Sequence, residues 1–85
     1  MQCDQKIVNR LKRAEGQMRG IQSMMLEGKE CSEMMIQLAA VRSSIDNIMG
    51  IMAGENLKFC LENPLTDPVE QGEKVQQALS LIQKK

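Results

Sequence analysis

The 85-residue chain has no histidine, tryptophan or tyrosine, and its one aromatic residue is Phe59. Without histidine it lacks the commonest general base and the commonest metal ligand, so most hydrolase and transferase mechanisms have little support. No apolar run is long enough to span a bilayer, and nothing reads as a secretory leader. The cysteines are few and odd in number, Cys3, Cys31 and Cys60. A disulfide framework is therefore not expected, and the reading is a cytoplasmic protein in a reducing compartment with no membrane role. Eighty-five residues make one domain, expected to be residues 1–85 as a whole. A chain this short has a thin core, and oligomerisation is the remaining way to complete it.

What is present is methionine, eight residues of it, read first as adaptable core filler and not as copper ligands. The net charge is zero, but the first twenty residues carry Lys6, Arg10, Lys12, Arg13 and Arg19 against Asp4 and Glu15. A neutral chain with a basic first segment can still present one face to an acidic partner.

Apolar residues recur at helical spacing rather than in alternation, so the expected fold class is all-α with three helices. The first runs from an N-cap at Asp4 to about Glu27, with Gly28 suited to the left-handed closing position. The second begins near Cys31 or Ser32 and continues to about Cys60. Gly50 and Gly54 each weaken it by only ~1 kcal/mol relative to alanine. After a linker over 62–68, Asp67-Pro68-Val69-Glu70 reads as a capping box with proline at the first helical position. Val75, Ala78, Leu79 and Ile82 share one face of the third helix.

Ile7, Leu11, Ala14, Met18, Ile21 and Met25 fall within an arc of roughly 80°. Met34, Leu38, Val41, Ile45, Ile48 and Met52 repeat that spacing on the second helix. Two long amphipathic helices form a hairpin whose open faces need a second subunit, giving an antiparallel dimeric four-helix bundle.

Beside the first seam, Lys6, Arg10, Arg13 and Gln17 lie within roughly 60° of one another. This is either a solvated helix face or a binding surface. The stripe holds no acidic residue, and Arg42 on the second helix adds a cation. Repeated by symmetry, it suits DNA phosphates and guanine edges. Lys12 and Arg19 lie on another face and are weaker candidates. No helix-turn-helix pair is evident.

Cys31 stands at the N-terminus of the second helix, where unpaired backbone N–H groups favour negative charge. Glu30 and Glu33 oppose that effect, and Lys29 partly offsets them. Cys60 lies 29 residues on, about eight turns, on nearly the same face. At 1.5 Å per residue the two are about 43 Å apart, whereas a disulfide needs Cα atoms within ~7 Å. An antiparallel two-fold crossing near residues 45–46 would bring Cys31 of each chain opposite Cys60 of the other. The alternative is two unrelated cysteines. Cys3 precedes the first helix and reads as incidental or as a secondary reactive thiol.

The run Ile7-Val-Asn-Arg-Leu-Lys-Arg-Ala-Glu-Gly-Gln-Met-Arg-Gly-Ile21 resembles the first helix of the copper-sensing operon repressor (CsoR) family. Cys31, Gln37-Leu-Ala-Ala-Val-Arg-Ser-Ser44 and Asn56-x-x-x-Cys60 resemble its second. The resemblance spans nearly the whole chain. It implies a dimer assembling into a disc-like homotetramer, and a cytosolic bacterial repressor that holds operator DNA until an inducer reacts at the second helix. It implies no enzyme activity and no cofactor.

Copper sensors of the family use a cysteine, a histidine four residues before a second cysteine, and that cysteine. Asn56 occupies the histidine position here, leaving copper(I) without a third donor. Nickel and cobalt sensors use several histidines. Formaldehyde sensors begin with a proline next to the first cysteine, where this chain has Met1-Gln2. The pattern that remains resembles the persulfide-sensing (CstR) branch. It implies attack of Cys31 on a sulfane sulfur of a persulfide or polysulfide, then capture by Cys60 of the partner subunit as a di-, tri- or tetrasulfide. Three other readings stay open: a copper(I) sensor using two thiolates, a thiol-redox enzyme and a helical adaptor without DNA.

Overall fold

The structure, a computed structural model, describes residues 3–83; the Met1-Gln2 start weighed above lies outside them. It is all-helical over those residues: α1 is Gln5–Glu27, α2 is Cys31–Glu62 and α3 is Pro68–Gln83. None of these helices is long and apolar enough to cross a membrane.

Each boundary has a local cause. Asp4 caps α1, its carboxylate accepting from the Lys6 N–H at 2.8 Å. Gly28 closes it in the left-handed region at φ 69°, donating to the carbonyls of Met24 and Met25. The Glu30 carbonyl accepts from Glu33 and Met34, which makes Cys31 the first residue of α2. That helix passes through Gly50 and Gly54 without a break and ends two residues beyond Cys60. There the Phe59 carbonyl accepts both the backbone N–H and the side-chain amide of Asn63. Pro64, lacking an N–H, bars continuation. At α3, the Asp67 carboxylate accepts from Val69 N–H at 2.9 Å. Neither bond of the expected capping box, from Glu70 N–H to the Asp67 carboxylate or from Asp67 N–H to the Glu70 carboxylate, is among those of the described residues, and Asp67 acts as a plain N-cap.

The chain divides into two compact units, Asp4–Ile48 and a second that holds residues 49–83 with Cys3. In the first, the core is Ile7, Ala14, Ile21, Val41 and Ile48. These recur every seven residues on each helix, the repeat that keeps one edge of each helix against its neighbour. The other half of the α1 seam is not covered: Leu11 is 50%, Met18 40% and Met25 52% exposed. Leu38 and Met35 of α2 are open as well. In the second unit the buried residues are Ala53 and Ala78.

The seven methionines among the described residues do not fill this core. Met18, Met25, Met35, Met49 and Met52 are exposed and Met24 and Met34 half-buried. The core of each unit is instead built of branched and small side chains, and the methionines lie on faces that one protomer leaves open.

A Cβ added at Gly50 or Gly54 meets nothing within 4 Å, whereas Gly28 holds a positive φ. Replacing either helical glycine with alanine is expected to raise stability by about 1 kcal/mol. Gly28→Ala should lower it by about 1–2 kcal/mol. Urea unfolding at one fixed protein concentration reads both.

Candidate sensing thiols and basic hollow

Of the two thiols singled out by spacing, Cys31 is exposed and Cys60 half-buried, and both are free. They stand at the first residue and in the last turn of a single helix, so the protomer gives them no means of pairing with each other.

The surroundings of Cys60 are organised by a residue that periodicity did not single out. The Gln71 side chain donates from Nε2 to the Cys60 carbonyl at 3.0 Å. Its Oε1 accepts from the Leu65 N–H at 2.8 Å. One amide thus ties the first turn of α3 to the end of α2 and to the loop between them. The signal in the sequence was faint, a glutamine four residues past an N-cap.

The basic stripe is only partly gathered. Arg10, Arg13 and Gln17 line one hollow of about 180 Å³, together with Ser44, Asn47 and Ile48 of α2. Lys6 and Arg42 are exposed but do not line it. Two guanidiniums, two amides and a hydroxyl make a donor-rich concavity suited to an anion. Ser44 and Asn47 flank Val41 and Ile48 on α2, and being uncharged they gave no charge-pattern signal. Among the described residues the ion pairs are Arg19–Glu15 at 3.0 Å and Lys58–Glu62 at 4.0 Å, both within a helix. Arg19 is therefore tied to its own face, while Arg10 and Arg13 have no carboxylate partner among the described residues.

Comparison with known proteins places this geometry. Residues 4–84 match the family described as metal-sensitive transcriptional repressor. The chain belongs to that family. Its members are transcriptional regulators, not enzymes. The chain is 38% identical over 61 residues to the uncharacterized protein YrkD of Bacillus subtilis, covering 72% of this chain and 97% of that protein. It is 33% identical over 60 residues to the copper-sensing transcriptional repressor CsoR of the same organism. That match covers 71% of this chain and 59% of the relative, so the chain spans little more than half of that repressor. The nickel-responsive transcriptional regulator InrS has the same fold, with a TM-score of 0.78 and 30% identity over 95% of this chain and 93% of that one. The three-helix, strand-free architecture expected above is thus the repressor fold.

A metal fits poorly at the ends of α2. The described residues contain no group of three or more His, Cys, Asp or Glu able to hold an ion. Asn56, one turn before Cys60, offers only a weak amide donor.

The Gln71 bridge yields a direct expectation. Gln71→Ala should cost about 1–2 kcal/mol, the worth of two hydrogen bonds. It should also speed exchange of the Leu65 amide hydrogen, while the Ile21 amide in the α1 core keeps its protection.

Proposed function

We propose that this repressor senses reactive sulfur species through Cys31 and Cys60 of two different subunits. The observation that carries the reading is the uninterrupted helix α2, with one reachable thiol at each end. The open apolar edges of α1 and α2 supply the reason to dimerise. An antiparallel α2 pair crossing near Ile45 sets each Cys31 against Cys60 of the partner subunit. Two such dimers form the homotetramer, with the 85-residue chain acting as one sensor domain in the cytoplasm.

The chemistry balances without a metal. The Cys31 thiolate attacks the outer sulfur of a donor RS–SH, giving Cys31–S–SH and releasing the thiolate RS⁻. The Cys60 thiol of the partner subunit then attacks the inner sulfur of that persulfide. A disulfide forms and hydrogen sulfide leaves. The two protein thiols are oxidised and the sulfane sulfur of the donor is reduced. If both thiols are persulfidated before closure, their condensation gives a trisulfide, again with loss of hydrogen sulfide.

In the reduced state the hollow of Arg10, Arg13 and Gln17, together with the exposed Lys6 and Arg42 outside it, meets operator DNA through phosphate oxygens. A crosslink at both ends of the α2 pair fixes the crossing and shifts the basic faces out of register with the duplex. The coupling requires that the crosslinked form bind DNA more weakly.

Polysulfide is expected to weaken operator binding by wild-type protein at least tenfold in a mobility-shift titration, and to leave Cys31→Ala and Cys60→Ala bound. Release by one equivalent of copper(I) that is lost in Cys31→Ala, with polysulfide inert, would overturn the reading. Arg13→Ala should weaken operator binding about tenfold. It should also flatten the slope of log affinity against log salt by about one per copy that touches DNA.

A further inference from the structure

The last turn of α2 needs a hydrogen bond that the helix itself cannot make. In a continuing helix the Cys60 carbonyl would accept from the N–H four residues on, but that residue is Pro64, which has none. The Gln71 side chain takes its place, Nε2 donating to the Cys60 carbonyl at 3.0 Å. We propose that Gln71 is a positioning residue for the Cys60 thiol, holding it in place to close on Cys31 of the partner subunit. The role rests on the sulfur-sensing reading above and adds a residue of α3 to it.

Three features support it. The bond is made to the thiol-bearing residue itself, and Cys60 and Gln71 are both half-buried. Second, little else anchors the segment between them. Every residue from 61 to 70 is exposed, so apolar burial gives it little hold. Among the described residues, this is the one side-chain hydrogen bond that joins α3 to α2. Third, the same amide reaches around Pro64, its Oε1 accepting from the Leu65 N–H at 2.8 Å. The two bonds fix how the amide lies, since only its nitrogen donates and only its oxygen accepts. A last turn whose carbonyls lack partners frays. Closure needs the second sulfur held within reach of the first, and a fraying thiol forfeits that proximity. In the closing step the Cys60 thiolate attacks the inner sulfur of Cys31–S–SH of the partner subunit, an S–S bond forms and hydrogen sulfide leaves. Gln71 acts through the backbone of Cys60, so it bears on this step and not on the first attack at Cys31.

The test follows both steps by intact mass spectrometry, with full-length protein in a Cys3→Ser background treated anaerobically with polysulfide. Gln71→Met is close in volume and loses both hydrogen bonds. Sulfur uptake by Cys31 should keep the parent rate, while covalent dimer forms about tenfold more slowly and the Cys31 persulfide accumulates. Lost stability alone, read on the same variants by urea unfolding, would not split the two steps. Pro64→Ala restores an N–H four residues after Cys60, so P64A/Q71M should recover most of the closing rate. Equal closing rates in Q71M and its parent overturn the role, as does a P64A/Q71M protein that closes as slowly as Q71M. Diamide removes one hydrogen from each of two thiols and needs no sulfane sulfur, so it separates the two claims. Slower diamide crosslinking in Q71M, with polysulfide inert toward the parent, would sink the sulfur reading and uphold the hold of Gln71 on Cys60. Polysulfide crosslinking at one rate in both proteins would sink the Gln71 role alone.

Discussion

The constraint on which everything else depends is the continuity of α2. Thirty-two residues run from Cys31 to Glu62 as one helix, with no proline inside and two glycines that cost little because propagation adds a hydrogen bond for each residue fixed. Were the helix straight, 29 residues at 1.5 Å each would set its two thiols about 43 Å apart, beyond disulfide reach, and close to a whole number of turns from each other. A break at Gly50 or Gly54 would have allowed the ends to fold back on each other. The proposed joint chemistry of Cys31 and Cys60 is therefore placed between two chains.

The same helix explains why the protomer is incomplete. Ile7, Ala14, Ile21, Val41 and Ile48 bury one edge of the hairpin. Leu11, Met18, Met25, Met35 and Leu38 line the edge left over. Exposed apolar area of this kind on a small protein marks a contact surface. Methionine suits it, because a flexible thioether packs against a partner without demanding one fixed shape. Residues 4–84 match the metal-sensitive repressor family, and the fold is shared with the nickel-responsive regulator. The proposed role departs from the copper and nickel named for its relatives. This chain keeps two thiols on α2 and has Asn56 a turn before the second.

Much of this was legible in the sequence, and the reasons are particular. Asp4, Gly28, Cys31 and Pro68 each mark a boundary through backbone chemistry local to a few residues, so all four helix limits they govern were readable. The α2 end was short by two residues because Asn63 prolongs the hydrogen-bonding past Cys60. Glu70 misled, since a capping-box spelling does not ensure that its side chain turns back. The α1 seam was read whole, yet only alternate members are buried. A 3.6-residue period identifies a face without saying which edge of it the same chain will cover. Ser44, Asn47 and Gln71 were missed because a neutral polar side chain shows its use only once another helix or loop is brought to it.

The central claim is that the two thiols act between subunits. Complementation of single variants, in a Cys3→Ser background, tests it most directly. Cys31→Ala and Cys60→Ala proteins are treated with polysulfide separately and as a refolded mixture, then examined by denaturing intact mass spectrometry. Neither variant alone should yield a covalent dimer. The mixture should yield the heterodimer of one chain of each kind, joined through the one remaining Cys31–Cys60 pair. A mixture that stays monomeric while the parent protein loses both thiols within single chains would contradict the account.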